Sequence, residues 1–476
     1  MENTESTEST ESTESTEATH HAAQPEEAAR ARRHDLTAAA IAVLLVTAAI
    51  LIGRYAQNRT GTLQVQWPPL LASWDPHLGP GTPAALTLAV LVIAYGPPLA
   101  ARLPWRGLLA AAWAGSTAWV FSMALIDGWY RGVERRLTTK HEYLRVIDRF
   151  DDIPATLRDF TNHIVIGEPG NWPAHVAGHP PGATLTFVWL DRIGLGGGAW
   201  AAVWCVVVGS SAVLAALITV RVLANERLAR RAAPFLVLAP AAVWAGVSAD
   251  GYFAAVAAWS VALLALAATR RVRLPAAAAV GGGLLFGWTC YLSYGLGLMA
   301  AVLLAVLVLA RTARPAVPFL LGALVVPAAF TLFGFNWWTA YHLLVERYYQ
   351  GAGGVRPYAY WVWANLACAV LAAGLAAVAG VRRSASYAPR AVRAALRTGA
   401  PAPAQRLALL VLSALVALLA ADLSGMSKAE TERIWQPFLL WLLPAAALLP
   451  ARTARYWLVA SAVPALLINH LLWTGW

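Results

Sequence analysis

YFAAVAAWSVALLALAATRRVRLPAAAAVGGGLLFGWTCYL, residues 252–292, decides the architecture. Two apolar stretches, 252–269 and 274–292, flank a turn carrying Arg270, Arg271 and Arg273. A hydrocarbon layer ~30 Å thick takes ~20 helical residues to cross, and each stretch is close to that length. Lipid offers backbone N–H and C=O groups no partner, so such stretches have to be helical.

The same alternation runs outward in both directions. Comparable segments lie at approximately 36–53, 84–101, 107–126, 199–222, 233–248, 294–310, 317–334, 360–381, 406–422, 435–450 and 456–473. With the first two, this gives about thirteen spans. Composition agrees: 59% of the 476 residues are hydrophobic and only 13% charged, about half the charged fraction of a soluble domain. Mean hydropathy is +0.55. The expected fold is all-α, a polytopic transmembrane helical bundle. Cys205, Cys290 and Cys368 all fall inside apolar segments without metal-ligand spacing and read as packing residues.

Charge sets the topology. The net charge of +11 would suit a nucleic-acid partner, but the arginines sit in short clusters between apolar stretches. With a cytoplasmic N-terminus, every inside connection is basic: Arg102 and Arg106, Arg227 to Arg231, Arg270 to Arg273, Arg311 and Arg314, Arg382 to Arg397, Arg452 and Arg455. This is the positive-inside pattern of a multi-pass cell-membrane protein, with no nucleic acid involved. Residues 1–35, opening on a Thr-Glu-Ser repeat, read as a disordered cytoplasmic tail, too polar to bury anything. Residues 36–476 form the membrane domain.

The opposite connections, about 54–83, 127–198, 335–359 and 422–434, are rich in Trp, Tyr, His, Asp and Glu. A channel or pump would place charge inside its spans; here the acids gather outside them. Surface chemistry on the extracytoplasmic face is the expectation, with transport of lipid-linked glycans or lipids as the alternative.

Loop 127–198 carries the densest signal. It begins Asp127-Gly-Trp-Tyr and continues KHEYLRVIDRFDDIPATLRDFTNHI (140–164) and NWPAHVAGHPPGATLTFVWLDRIGLGGGAW (171–200). Tyr143, Leu144, Ile147 and Phe150 fall at helical spacing, and a second short helix is expected from Pro154 with Leu157 and Phe160 on its apolar side. His179-Pro180-Pro181-Gly182 then opens an apolar segment too short to span. The prolines fix the direction in which that segment starts.

Taken together, residues 125–270 resemble the GT-C superfamily of membrane glycosyltransferases, in particular its polyprenyl- or dolichyl-phosphate mannosyltransferase-like branch. The resemblance is carried by Asp127 and Glu142 after a span, His179-Pro180-Pro181 before the next helix, and the turn Gly196-Gly197-Gly198. It continues through a span ending at Arg221 to Arg231, and through APAAVWAGVSAD (239–250), whose Asp250 opens the next external turn. The family's Asp-Glu-aromatic triplet reads His141-Glu142-Tyr143 here. The resemblance implies a polyprenyl-phosphate-linked sugar donor, a glycan, lipid or protein acceptor, and loop 127–198 as the active-site loop of an inverting hexosyl- or pentosyltransferase. A carboxylate would deprotonate the acceptor and cations would hold the departing phosphate.

Glu142 is the first choice for the base and Asp127 the second. Asp75 and His77, in SWDPHLGPGT (73–82), form a rival site. For substrate binding, His179 and Tyr143 lie in the same loop as these acids, Asp250 opens the next external turn, and Lys428 and Arg433 stand at the mouth of a span, at headgroup height. Arginine suits bidentate phosphate contacts. No Gly-rich nucleotide loop occurs and no compact carboxylate cluster has metal-ligand spacing, so no cofactor and no metal is expected.

Overall fold

The computed structural model describes residues 5–397 and 401–474 and is almost entirely helical. Of the N-terminal repeat expected to be disordered, residues 1–4 lie outside the described ones. The first helix is Glu5–Thr60, with its membrane-length part at Ala29–Thr60. Its first buried described side chain is Asp35.

Seven described helices are long and apolar enough to cross a membrane: Ala29–Thr60, Thr82–Arg102, Trp105–Asp127, Gly197–Leu223, Ala249–Ala268, Pro275–Leu292 and Pro403–Leu423. Three bent pairs raise the number to ten: Ala316–Leu332 with Trp337–Gln350 (78°), Tyr358–Ala373 with Leu375–Ala394 (110°), and Gln436–Leu448 with Ala451–Leu471 (113°). Thirteen spans is therefore too many. Several apolar runs are interrupted by backbone that cannot continue a helix, within the single run 360–381 and between the runs 435–450 and 456–473. Gly374 sits at φ 82° between the arms of the second pair, and Pro450 precedes the second arm of the third. Residues 233–248 break up too, as Glu226–Val237 and the short Ala242–Ala245. Residues 335–359, read as a connection, are largely the helix Trp337–Gln350.

Ala249–Ala268 is the central helix, with 78% of its most apolar window buried. Small residues let its neighbours close in, which is the main way helices associate where lipid removes the hydrophobic drive. Between Pro275–Leu292 and Ala316–Leu332 the approach is backbone to backbone. A Cβ on Gly283 would stand 1.9 Å from the Phe319 carbonyl oxygen, and one on Gly322 2.2 Å from that of Val280. The outer side of Ala316–Leu332 exposes Val317, Leu320, Leu321, Leu324 and Val325. A helix apolar all round is one that meets protein on one side and lipid on the other.

Polar contacts divide into two faces. On one, Asp35 is held by Arg382 (2.9 Å) and Arg383 (2.6 Å). There Arg230 donates to the carbonyls of Ala100 and Leu103, each at 2.8 Å, and Arg231 to that of Leu449. These arginines satisfy carbonyls that helix ends leave open. On the other face, Ser73–Trp74 pairs antiparallel with Leu472–Trp473. This ties the first large connection to the last helix.

Loop 127–198 folds as a chain of short helices. Tyr143–Phe150 is a tight 3-10 stretch kinked at Val146, and Tyr143, Val146 and Phe150 are its buried side chains. Leu144 and Ile147 pack half-buried against the core, and the kink adds Val146 to the inner side. The second expected helix forms as Ile153–Asp159, capped by Asp152 accepting from Ala155 N at 3.0 Å. Arg347 pins Trp337–Gln350 to the loop by donating to the carbonyls of Ile164 and Trp172, both at 3.1 Å.

Candidate active site

The helix Gly182–Arg192 begins where the chain is tightly packed. A Cβ on Gly182 would come 2.5 Å from the Tyr291 carbonyl oxygen, so the residue after the two prolines has to be glycine. This seats His179, in extended backbone just past the short helix Ala174–Gly178, beside the loop's aromatic residues. Tyr143 stacks on Phe187 with ring centroids 5.4 Å apart and meets His179 edge-on at 5.7 Å. Nδ1 of His179 lies 2.7 Å from the His175 carbonyl oxygen and 3.2 Å from the Tyr143 hydroxyl. A carbonyl only accepts, so Nδ1 carries the proton and Nε2 keeps the lone pair. Loss of hydration pushes the imidazole down to about 4, so it is neutral at pH 7.

Glu142 is buried, and its Oε1 stands 2.9 Å from Nδ1 of His175. His175 also donates its backbone N–H to the His141 carbonyl at 3.0 Å. The two strands of the loop are therefore joined at both backbone and side chain. Histidines 175 and 179 are four apart and serve different partners, Glu142 and Tyr143.

The 422–434 connection approaches from the other side. Nη1 of Arg433 donates to Oδ2 of Asp250 at 2.6 Å, and Nη2 to Glu430 at 3.3 Å. Ser248 donates its hydroxyl to the same Asp250 oxygen at 2.9 Å. Arg356 reaches Glu430 at 3.4 Å and donates to the Lys428 carbonyl at 2.7 Å. Ala429 and Glu430 are both left-handed, at φ 74° and 64°. Two consecutive non-glycine residues in that region store strain, a feature that gathers at functional sites. Burial opposes the charge on Arg433, but Asp250, Glu430, Glu142 and Tyr143 together hold its pKa above the ordinary value. Glu432 is fully buried, and burial raises its carboxyl to about 7.

Of the residues singled out in the sequence, Glu142, Tyr143, His179, Asp250 and Arg433 come together in this one buried polar centre. Lys428 lies at its edge, donating to the Gly353 carbonyl at 2.7 Å over the ring of Tyr349. Asp127 belongs to a second cluster, where it meets Arg136 at 2.7 Å, His77 at 3.2 Å and Arg131 at 3.4 Å. Asp75 pairs with the same Arg131, whose hydrogen bond holds its carboxyl below the usual range. The rival acids are thus one ion network with two arginines and a histidine. His175 and Ser248 were not singled out in the sequence. The His175-x-x-x-His179 spacing, one helical turn, was the available signal for the first; nothing marked the second.

Fold and site define a polytopic helical membrane protein with a buried acid-histidine-arginine centre on the face opposite its arginine-rich one. No protein-family model matches the chain, and no curated protein does. Among solved structures the chain aligns with the oligosaccharyltransferase of Archaeoglobus fulgidus. The apo form aligns over 77% of this chain and 55% of that one, at 15% identity and a TM-score of 0.47. A form tethered to an acceptor peptide containing the NVT sequon gives 76%, 54%, 15% and 0.43. The complex with an inhibitory peptide and a dolichol-phosphate gives 76%, 55%, 14% and 0.40. The chain spans about half the length of these solved chains. The overlap is partial, so the chemistry has to be read from this chain's own residues.

Proposed function

We propose that the protein is a membrane glycosyltransferase of GT-C type, moving a sugar from a polyprenyl-phosphate carrier to a cell-envelope acceptor on the extracytoplasmic face. The observation that carries this reading is Glu142, a buried carboxylate 2.9 Å from His175 and in the same polar centre as Asp250 and Arg433.

Glu142 takes the proton of an acceptor hydroxyl while that oxygen bonds to the anomeric carbon. The bond from that carbon to the phosphate oxygen breaks, and its electron pair leaves with the polyprenyl phosphate. One displacement inverts the anomeric centre, with a general base as in inverting glycosidases. His175 orients the base. His179, neutral, offers Nε2 to a sugar hydroxyl, and Tyr143 holds that ring in place. Arg433 lies between two acids, so a phosphate that engages it competes with Glu430 for the guanidinium, while Asp250 keeps the planar group aimed. Lys428 adds charge at the rim. Asp127 maintains the loop's ion network.

The test is transfer from a polyprenyl-phosphate sugar in membranes holding Glu142→Gln or Asp127→Asn protein. Loss of a general base costs ~100-fold or more, which is the expectation for Glu142→Gln. Asp127→Asn lowers activity in proportion to folded protein. Full transfer by Glu142→Gln would overturn the assignment.

A further inference from the structure

A groove of about 760 Å³ opens on the same face as the polar centre, within the ~300–1,000 Å³ range of ligand sites. Its lining includes Arg135, Lys140 and Arg145, all exposed, and among the described residues no carboxylate lines it. None of these three cations is in an ion pair among the described residues. Tyr130 and Trp473 supply aromatic surface, and amide and hydroxyl side chains fill much of the remaining wall. His141 also lines the groove, and the next residue is Glu142.

This chemistry selects among the acceptors open to a transferase. Side-chain amides, hydroxyls and aromatic faces are what sugar rings use for hydrogen bonding and stacking. Three uncompensated cations favour a ligand with negative charge. An acyl chain has nothing to gain from such a wall, because its polar groups would lose water without finding partners. Elsewhere in the molecule, an apolar-walled cavity of about 520 Å³ lies on the opposite face among Arg227, Arg230 and Arg231.

We infer that this groove is the acceptor seat and that it takes an acidic saccharide, one bearing uronate or phosphate groups. The inference rests on the transferase reading, in that it assigns the groove to the acceptor. Its position supports the assignment: His141, on the groove wall with Arg135, Lys140 and Arg145, is the chain neighbour of the proposed base.

Binding is measured without turnover, on full-length protein in neutral-lipid nanodiscs, by calorimetry with trigalacturonate and with neutral maltotriose as probes. Trigalacturonate is expected to bind more tightly than maltotriose. The variant Arg135→Gln/Lys140→Gln/Arg145→Gln is expected to lose about tenfold for the acidic probe only, from three exposed charge contacts. Because these side chains are exposed, the variant should melt with the wild type, and a charge-retaining Arg135→Lys/Arg145→Lys protein should keep most of the binding. Glu142→Gln protein should bind trigalacturonate as wild type does. Loss of transfer with binding intact therefore reports on the base, whereas transfer to an acidic acceptor that survives loss of groove binding would show that the groove is not the acceptor seat. Equal binding of the two trisaccharides, or unchanged acidic binding in the triple Gln variant, would overturn the inference. So would displacement of the probe by phosphatidylglycerol, which would make the occupant a lipid headgroup.

Discussion

Glu142 and Glu432 are both buried acids, yet their surroundings give them opposite characters. Glu142 has the imidazole of His175 at 2.9 Å. Glu432 lies in a wholly buried position that raises its carboxyl to about 7. In the unfolded chain a glutamate titrates near 4.3, so folding favours the protonated form of Glu432. Stability from this group is complete below the unfolded value and is lost as pH rises through about 7. Glu432→Gln keeps the shape of the neutral acid and removes the titration. Its stability should match the wild type at pH 4 and exceed it at pH 8, by about 3 kcal/mol, read as a higher thermal midpoint at pH 8. Parallel melting curves at both pH values would show that Glu432 is not raised. At this same scale, the sequence offered two acids for the proposed base. Local spacing could not separate them, because what divides them is which side chains reach each one. Arg136 folds back nine residues onto Asp127, while His175 comes from 33 residues beyond Glu142 by way of a loop closure that no periodicity announces.

Among the elements, the pair Pro275–Leu292 and Ala316–Leu332 shows most directly how the bundle is held. Gly283 faces a carbonyl at a distance no Cβ tolerates, whereas a Cβ on Gly281 would meet only Leu263 Cδ1 at 3.6 Å. Gly283→Ala should therefore lower stability by about 2 kcal/mol, the range of overpacking in a tight interior. Gly281→Ala should be neutral or slightly stabilising, since alanine is the better helix former. Equal detergent melting midpoints for the two variants would contradict this packing. The triplet Gly281-Gly282-Gly283 was plain in the sequence, but which of the three faces the neighbouring helix was not. The bends have the same explanation. Gly374 and Pro450 are visible punctuation, but whether such a residue ends a span or folds it back depends on what packs against both arms.

For the molecule as a whole, the separation of arginine-clustered and mixed-charge connections onto two faces yields a topology prediction. Gln66→Cys, at an exposed position in connection 54–83, should react with an impermeant maleimide in intact cells. Ala385→Cys, exposed beside Arg382 and Arg383, should react only after permeabilisation. The native cysteines Cys205 and Cys368 are buried and should stay silent. Labelling of both introduced cysteines from outside would remove the two-faced arrangement. Asp35, held by two arginines, fastens the first helix to the basic face. Asp35→Ala would leave those cations clustered and without their shared carboxylate, and breaking such a buried network costs ~3–5 kcal/mol. A thermal midpoint unchanged by that substitution would show that the first helix is held elsewhere.

By itself the sequence determined that the chain is helical and lipid-embedded, where its polar connections lie, and that loop 127–198 holds most of its distinctive chemistry. These follow from one-dimensional quantities: the length of apolar runs, the sign of charge between them, and the positions of proline and glycine. Only the tertiary structure decided that 252–269 is the central span, that several apolar runs are bent sharply rather than straight, and that Glu142 meets His175 while Asp127 joins the arginines. Burial and ion pairing depend on distances between residues up to hundreds of positions apart, as with Asp250 and Arg433, and no local pattern encodes those distances.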